Sequence, residues 1–308
     1  MTIPEELGTS RQSDGADPHW SHREPHPRGD IEASWTSLLP LDGGNIYVRQ
    51  DGPRKAPALI LIHGLAASTR WWDPLVPLLT TSYRMIRIDM LGHGKSAKPA
   101  GPGYGIPEHA KRVGAALDRL GVKRAIVVGH STGGSVATAL AEQRRAQVKA
   151  LALIDSCPCL DADISERLLS RLLPVPGIGH LMWRLLTGAL TRKAMTTGFS
   201  RGFDIPQQLV DDVRAMTYHA FTATSEAAVN YLQQRSLPKR LAVLDMPLLV
   251  IFGEEDGRCR SLFADEYRAV PGARVELLKG LGHSPMVEDP SRTAALLHVF
   301  TDSVRGRA

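Results

Sequence analysis

At 308 residues, with 43% hydrophobic and 22% charged side chains, the chain has the make-up of a soluble globular protein able to bury a large core. Its net charge of +5 is spread thinly, with no basic run of five or more, so no nucleic-acid partner is expected. No stretch approaches the roughly twenty apolar residues of a membrane span and no secretory h-region is visible, so a cytoplasmic protein without a membrane partner is expected.

Residues 1–30 are rich in Pro, His, Ser, Asp, Glu and Arg and nearly free of aliphatic side chains. Such a segment cannot offset its ordering entropy by burial, and residues 1–35 are expected to be a disordered tail. From Ser37 the pattern becomes regular. Leu38 to Leu41, Gly43-Gly44 and Ile46 to Arg49 read as a hairpin. Ala58 to Ile62 and Met85 to Asp89 are continuous apolar runs of the kind found in strands covered on both faces. Ile106 to Leu120 has helical spacing and is closed by Gly121. Ala125 to Val128, Val148 to Ile154, Leu248 to Phe252 and Val275 to Leu278 continue the strand series. Short buried strands alternating with helices predict crossover units and a mostly parallel sheet.

The alternation lapses between Asp155 and about Asp245. Helical spacing fills the gap, over Ser165 to Leu173, Leu181 to Leu190, Gln207 to Ala220 and Ser225 to Gln234. Residues 156–237 therefore read as a helical insertion between two strands of one sheet, with residues 36–155 and 238–308 as the core. The three cysteines, Cys157, Cys159 and Cys259, are too few for a disulfide framework and suit a reducing compartment. Cys157-Pro158-Cys159 lacks a second ligand pair for zinc, so neither a metal nor a cofactor is expected.

Gly129-His130-Ser131-Thr132-Gly133-Gly134 stands between a strand-like and a helix-like run. A bare G-x-S-x-G is a weak signal, but this context is the one a nucleophile elbow requires. Gly129 and Gly133 give room for a strained turn that lifts the Ser131 hydroxyl off the strand end, where free N–H groups of the helix start can meet developing negative charge. A serine nucleophile needs a base, and the base needs an orienter. Gly253-Glu254-Glu255-Asp256 follows one late strand, and Gly282-His283 follows the last. The order Ser131, Asp256, His283 is the order of the α/β-hydrolase triad.

Together with His63-Gly64-Leu65, Asp89-Met90-Leu91-Gly92-His93-Gly94 and Glu288-Asp289-Pro290, these motifs make residues 36 to 305 resemble the α/β-hydrolase superfamily in its serine-nucleophile, helically capped branch. The resemblance implies an α/β-hydrolase fold: a mostly parallel eight-stranded sheet with helices on both faces and a helical cap inserted after strand 6. Carried over by position, it implies Ser131 as nucleophile, His283 as base and Asp256 as acid, with Glu254, Glu255 and Asp155 as alternative acids. It further implies an oxyanion hole from the backbone N–H groups of Leu65 and Thr132.

His63 and His93 read as ties between loops. His130 should project away from the nucleophile and support the site from behind. It joins Trp71, Trp72 and Met182 as candidate substrate-binding residues, one of the two tryptophans lining the site, with Trp183 and Phe221 as weaker cap candidates. The elbow lacks the aspartate of haloalkane dehalogenases and epoxide hydrolases. Ser284 stands where carbon–carbon hydrolases usually carry tryptophan, and Leu65-Ala66-Ala67 replaces the extra glycines of proline iminopeptidases. What remains is hydrolysis of an ester, lactone or thioester of a small to medium, largely apolar compound. The alternative is a hydrolase-fold protein that binds a small molecule, or performs non-hydrolytic chemistry such as carbon–carbon cleavage or cofactor-free peroxidation.

Overall fold

The computed structural model describes residues 34–164 and 177–306. The expected tail over 1–33 and the expected helix Ser165 to Leu173, with its clustered Leu168, Leu169, Leu172 and Leu173, lie outside the described residues. Eight strands form one sheet in the order β1-β2-β4-β3-β5-β6-β7-β8. They are β1 (Trp35–Leu39), β2 (Ile46–Asp51), β3 (Ala58–Ile62), β4 (Arg84–Ile88), β5 (Ala125–His130), β6 (Val148–Ile154), β7 (Leu248–Gly253) and β8 (Ala273–Leu278). β1 pairs with β2 and β2 with β4 antiparallel, and the other pairings are parallel. β1 begins at Trp35, inside the stretch expected to be tail.

The buried runs become strands because each needs apolar cover on both sides. In β3, Ile60 and Ile62 join one core cluster, with Ile106, Val113 and Leu140. Leu59 and Leu61 join the other, with Trp72, Leu75, Leu297 and Phe300. The period-two alternation of a strand thus splits one apolar run between the two faces. Helices α1 (Ile106–Arg119) and α2 (Thr132–Gln143) cover the first face. At the other end of the chain, the short α8 (Pro285–Glu288) leads into α9 (Pro290–Arg305), which supplies Leu297 and Phe300 to the second face.

Between β6 and β7 the described helices are α3 (Ile178–Arg184), α4 (Gly188–Met195), α5 (Gln207–Arg214), α6 (Tyr218–Gln234) and α7 (Leu237–Leu241). The single helix expected over Leu181 to Leu190 is two, because the Thr187 hydroxyl accepts from the Leu190 N–H and caps a new start. The Gln207 to Ala220 expectation breaks likewise at Thr217, whose hydroxyl accepts from the Ala220 N–H.

One sulfur pairing departs from the sequence expectation. Cys157, just past β6, is disulfide-bonded to Cys259, past β7, across a separation of 102 residues and with Cα atoms 5.7 Å apart. Cys159 is free. Around the bridge, the Ile164 N–H donates to the Arg258 carbonyl and the Arg260 N–H to the Ala162 carbonyl. The root of the helical insertion is thereby fastened to the loop that follows β7.

Candidate active site

The parallel register brings the carboxyl ends of β3, β5, β6, β7 and β8 to one edge of the sheet, where an open α/β sheet places its ligand chemistry. Ser131 sits at the tip of β5 with φ +52° and ψ −123°, a conformation that a non-glycine residue keeps only when its surroundings enforce it. The enforcement is steric. A Cβ on Gly129 would lie 2.4 Å from the Gly133 carbonyl oxygen, and one on Gly133 would lie 2.3 Å from that of Ile62. The Ser131 N–H donates to the Ile154 carbonyl at 2.9 Å and pins the elbow to β6.

The Ser131 hydroxyl lies 2.9 Å from His283 Nε2, and His283 Nδ1 lies 2.7 Å from Asp256 Oδ2. Because a carboxylate only accepts, Nδ1 carries the hydrogen and Nε2 is left to accept from the serine. Asp256 Oδ1 accepts from the backbone N–H groups of Arg258 and Cys259 at 2.7 and 3.0 Å. Burial pushes the Asp256 carboxyl up, but His283 and these N–H donors outweigh it and hold it below the usual carboxylate range. Neither Glu254 nor Glu255 takes this place, and both are exposed.

Asp155, the alternative acid at the end of β6, is fully buried beside the relay. Its Oδ1 accepts from the Gly253 N–H at 2.9 Å. Among the described residues, Asp155, Asp256 and His283 are the group whose potential ligand atoms all lie within 4.8 Å of one another. The close contact of Asp256 Oδ2 with His283 Nδ1 leaves no room for a cation between those two atoms.

Leu65 and Thr132 both line the cavity next to Ser131. A Cβ on Gly64 would stand 3.0 Å from Ser131 Cβ, so the turn after β3 packs directly on the elbow. Thr132 opens α2, where backbone N–H groups have no partner one turn earlier. His63 Nδ1 donates to the Gly64 carbonyl at 2.7 Å, and its Nε2 accepts from the Met90 N–H at 3.1 Å, which ties this turn to the loop after β4. Burial draws its pKa down to about 4, against a smaller opposing effect of the Gly64 carbonyl.

The cavity above Ser131 has a volume of about 900 Å³. The cap supplies Met182, Trp183, Leu186, Met195, Phe221 and Leu232 to its wall. The Trp183 and Phe221 rings pack against each other at a tilt of 37°, with centroids 4.8 Å apart. Of the tryptophan pair, Trp71 lines the cavity. Trp72 does not: it is fully buried in the core among Leu75, Leu79 and Met85. His130, another of the candidate substrate-binding residues, is also in the cavity lining, and its ring stacks on Trp71 with centroids 6.2 Å apart. Its Nε2 donates to the His283 carbonyl at 2.8 Å, and burial holds it well below the usual histidine pKa, so it is a neutral ring steadying the loop of His283.

Two carboxylates to which the sequence reading assigns no role in the site also shape it. Glu288 accepts from the N–H groups of Gly282 and Ser284, on either side of His283, and from the Ser200 N–H of the cap. Its signal was the Glu288-Asp289-Pro290 motif. Asp212, on α5, is buried and accepts from the Ser68 hydroxyl at 2.7 Å and from the Arg70 guanidinium. Ser68 and Arg70 flank the start of the short helix that follows the Leu65 turn, so a cap residue holds the segment that presents Leu65.

A family model described as "Alpha/beta hydrolase family" matches residues 59–296. The chain belongs to this family. The hydrolase is 27% identical over 271 residues to monoacylglycerol lipase abhd6-A of Xenopus laevis, covering 84% of the chain and 79% of the relative. It is 26% identical over 278 residues to a putative 2-succinyl-6-hydroxy-2,4-cyclohexadiene-1-carboxylate synthase of Bacillus subtilis, covering 85% and 97%. Among solved structures it resembles a putative aryl esterase of Burkholderia cenocepacia, with a TM-score of 0.75 at 23% identity over 89% of the chain and 99% of that structure. No helix among the described residues is long and apolar enough to cross a membrane.

Proposed function

We propose that the hydrolase cleaves a carboxylic ester, lactone or thioester of a small to medium, largely apolar compound through an acyl-enzyme on Ser131. The observation that carries this reading is the unbroken relay from Ser131 Oγ to His283 at 2.9 Å and from His283 to Asp256 at 2.7 Å, opening into an apolar cavity of about 900 Å³. That volume is near the top of the roughly 300–1,000 Å³ typical of small-molecule sites. Ser131 attacks the carbonyl carbon while His283 Nε2 takes the hydroxyl proton, and Asp256 stabilises the imidazolium through Nδ1. The developing oxyanion meets the N–H groups of Leu65 and Thr132. His283 returns the proton to the leaving alcohol or thiol, then activates water to release the acid and regenerate Ser131. The names of the lipase and esterase relatives support an acyl substrate.

The synthase name of the Bacillus subtilis relative supports a second reading, non-hydrolytic chemistry at the same serine. A burst of p-nitrophenol from p-nitrophenyl esters, together with labelling of Ser131 by a phosphonate, distinguishes the two. Ser131→Ala should lower ester turnover by about 10⁴ or more with the fold intact. Turnover near wild type in that variant removes the acyl-enzyme reading.

A further inference from the structure

The second carboxyl group beside the relay has no part in the steps above. Asp155 follows β6 with a left-handed φ of +43° and is fully excluded from solvent. The Gly253 N–H satisfies Oδ1, while Oδ2 meets no donor among the described residues. Asp155 and Asp256 nevertheless stand side by side, each with a side-chain oxygen in a buried cluster with His283 whose atoms all lie within 4.8 Å of one another. An ionised carboxylate only accepts, so the two acids hydrogen-bond each other only if one of them holds a proton. Two carboxylates this close in a dry site cannot both be charged.

The surroundings decide which acid is neutral. Asp256 has two backbone N–H donors and His283, whereas Asp155 has one N–H. Burial first, and then the Asp256 charge, push Asp155 well above the usual carboxylate range. The charged and titratable groups facing the pair are His283 from the loop after β8, Glu288 from α8, His130 from β5, and Arg258 from the acid loop itself. Glu288 acts on Asp155 in the same direction as Asp256, against the charged form.

We propose that Asp155 is a protonated positioning residue that donates its Oδ2 hydrogen to the Asp256 carboxylate and so fixes the acid that orients His283. The donated bond spreads the charge on Asp256 and tempers the basicity it confers on the imidazole. Asp155 is thus a neutral hydrogen-bond donor and not a second anion of the relay.

The test compares wild type, Asp155→Asn and Asp155→Gly. Asparagine keeps both an acceptor for Gly253 and a donor for Asp256. Glycine removes both and suits the left-handed φ, so it adds no backbone strain. Two quantities are read: the infrared carbonyl band of a buried protonated carboxylic acid at pH 7, and the acid limb of kcat/KM for a p-nitrophenyl ester. The wild type should show the band, and Asp155→Asn should lose it. The acid limb should hold its position in Asp155→Asn and move up by about half a pH unit or more in Asp155→Gly, because an Asp256 without its donor stabilises the imidazolium more strongly. A downward shift in both variants would mean that an anion had been removed, and it overturns the proposal. So does a wild type without the band, or an Asp155→Gly protein that loses thermal stability while its acid limb stays put. The kinetic arm rests on the ester-hydrolysis reading and the infrared arm does not. A wild type that turns over no ester sinks that reading, while the band still decides where the proton lies.

Discussion

The buried histidines of the hydrolase, those away from the reacting atoms as well as those near them, should cost it stability steeply between pH 7.5 and pH 5. His63, His93, His109 and His130 are all fully buried. Burial holds His63 at about 4 and His93 at about 3, against an ordinary value of 6.5. His109 and His130 lie well below that value for the same first cause. The folded-state pKa values are depressed, so the associated stability is fully present above pH 6.5 and is lost as pH falls toward about 4 and about 3.

At pH 5 an unfolded imidazole has gone roughly 1.5 units past its midpoint while the buried one is still neutral. At about 1.36 kcal/mol per unit, that is roughly 2 kcal/mol per ring, or roughly 4 kcal/mol for His63 and His93 together. His109 and His130 add in the same direction. For a domain of this size each kcal/mol moves Tm by about 2–4 °C, so these rings are expected to lower Tm by about 8–16 °C or more. Thermal melts followed by circular dichroism at constant ionic strength measure it. The melts use Asp155→Asn, because a folded-state Asp155 that keeps its proton favours folding as pH falls and offsets the imidazoles in the wild type, whereas unperturbed carboxylates stay ionised over this interval. His109→Leu removes a ring whose Nε2 has no partner and should flatten the profile. In Asp155→Asn a Tm that moves less than about 3 °C between pH 7.5 and 5 would refute the account, because neutral buried rings require a larger change.

Asp256→Asn should lower kcat by about 10⁴ through the wrong imidazole tautomer while the melting curve stays close to wild type, and steady-state kinetics with circular dichroism check both. Trp183→Ala or Phe221→Ala opens the cap wall and should raise the long-chain to short-chain preference among p-nitrophenyl esters by about tenfold, with a small activated ester still turned over. Asp212→Ala should lower kcat by about tenfold with a smaller change in KM, because it frees the segment holding Leu65 and leaves the cavity wall in place. Asp212→Asn should recover much of that loss by keeping an acceptor for Ser68.

The sheet was legible because Ala58 to Ile62 and the later apolar runs have no other way to be covered than between two helical layers. The elbow was legible for a steric reason that local sequence carries: only glycine at 129 and 133 lets the backbone close to 2.4 and 2.3 Å of a Cβ position. Helix boundaries in the cap were misplaced at Thr187 and Thr217, where side-chain caps outweighed a hydrophobic spacing that ran on through them. Trp72 could not be told from Trp71, since adjacent residues on a short helix point to different sides and spacing does not say which side holds the cavity. The Cys157–Cys259 bond and the Ser68–Asp212 contact were out of reach because they join residues 102 and 144 positions apart, and no local pattern encodes such pairings.

Those two long-range ties change how substitutions in the cap are to be interpreted. One fastens the cap root to the acid loop: Cys157 to Cys259 by sulfur, with backbone bonds from Ile164 to Arg258 and from Arg260 to Ala162 beside it. The same loop presents the Cys259 N–H to Asp256 at 3.0 Å. The other joins Asp212 of α5 to Ser68 and Arg70, next to the turn that carries Leu65. A third contact, from the Ser200 N–H to Glu288, reaches the loop of His283. The cap therefore touches the supports of Asp256, of His283 and of the Leu65 turn separately, in addition to roofing the cavity. Side chains that only face the cavity, such as Trp183 and Phe221, can change which substrate fits while the relay stays in register. Side chains that anchor, such as Asp212, act on the position of the catalytic groups and so on the rate for every substrate alike. A panel of esters of different length separates the two kinds of residue: the first bends the profile, and the second lowers it uniformly.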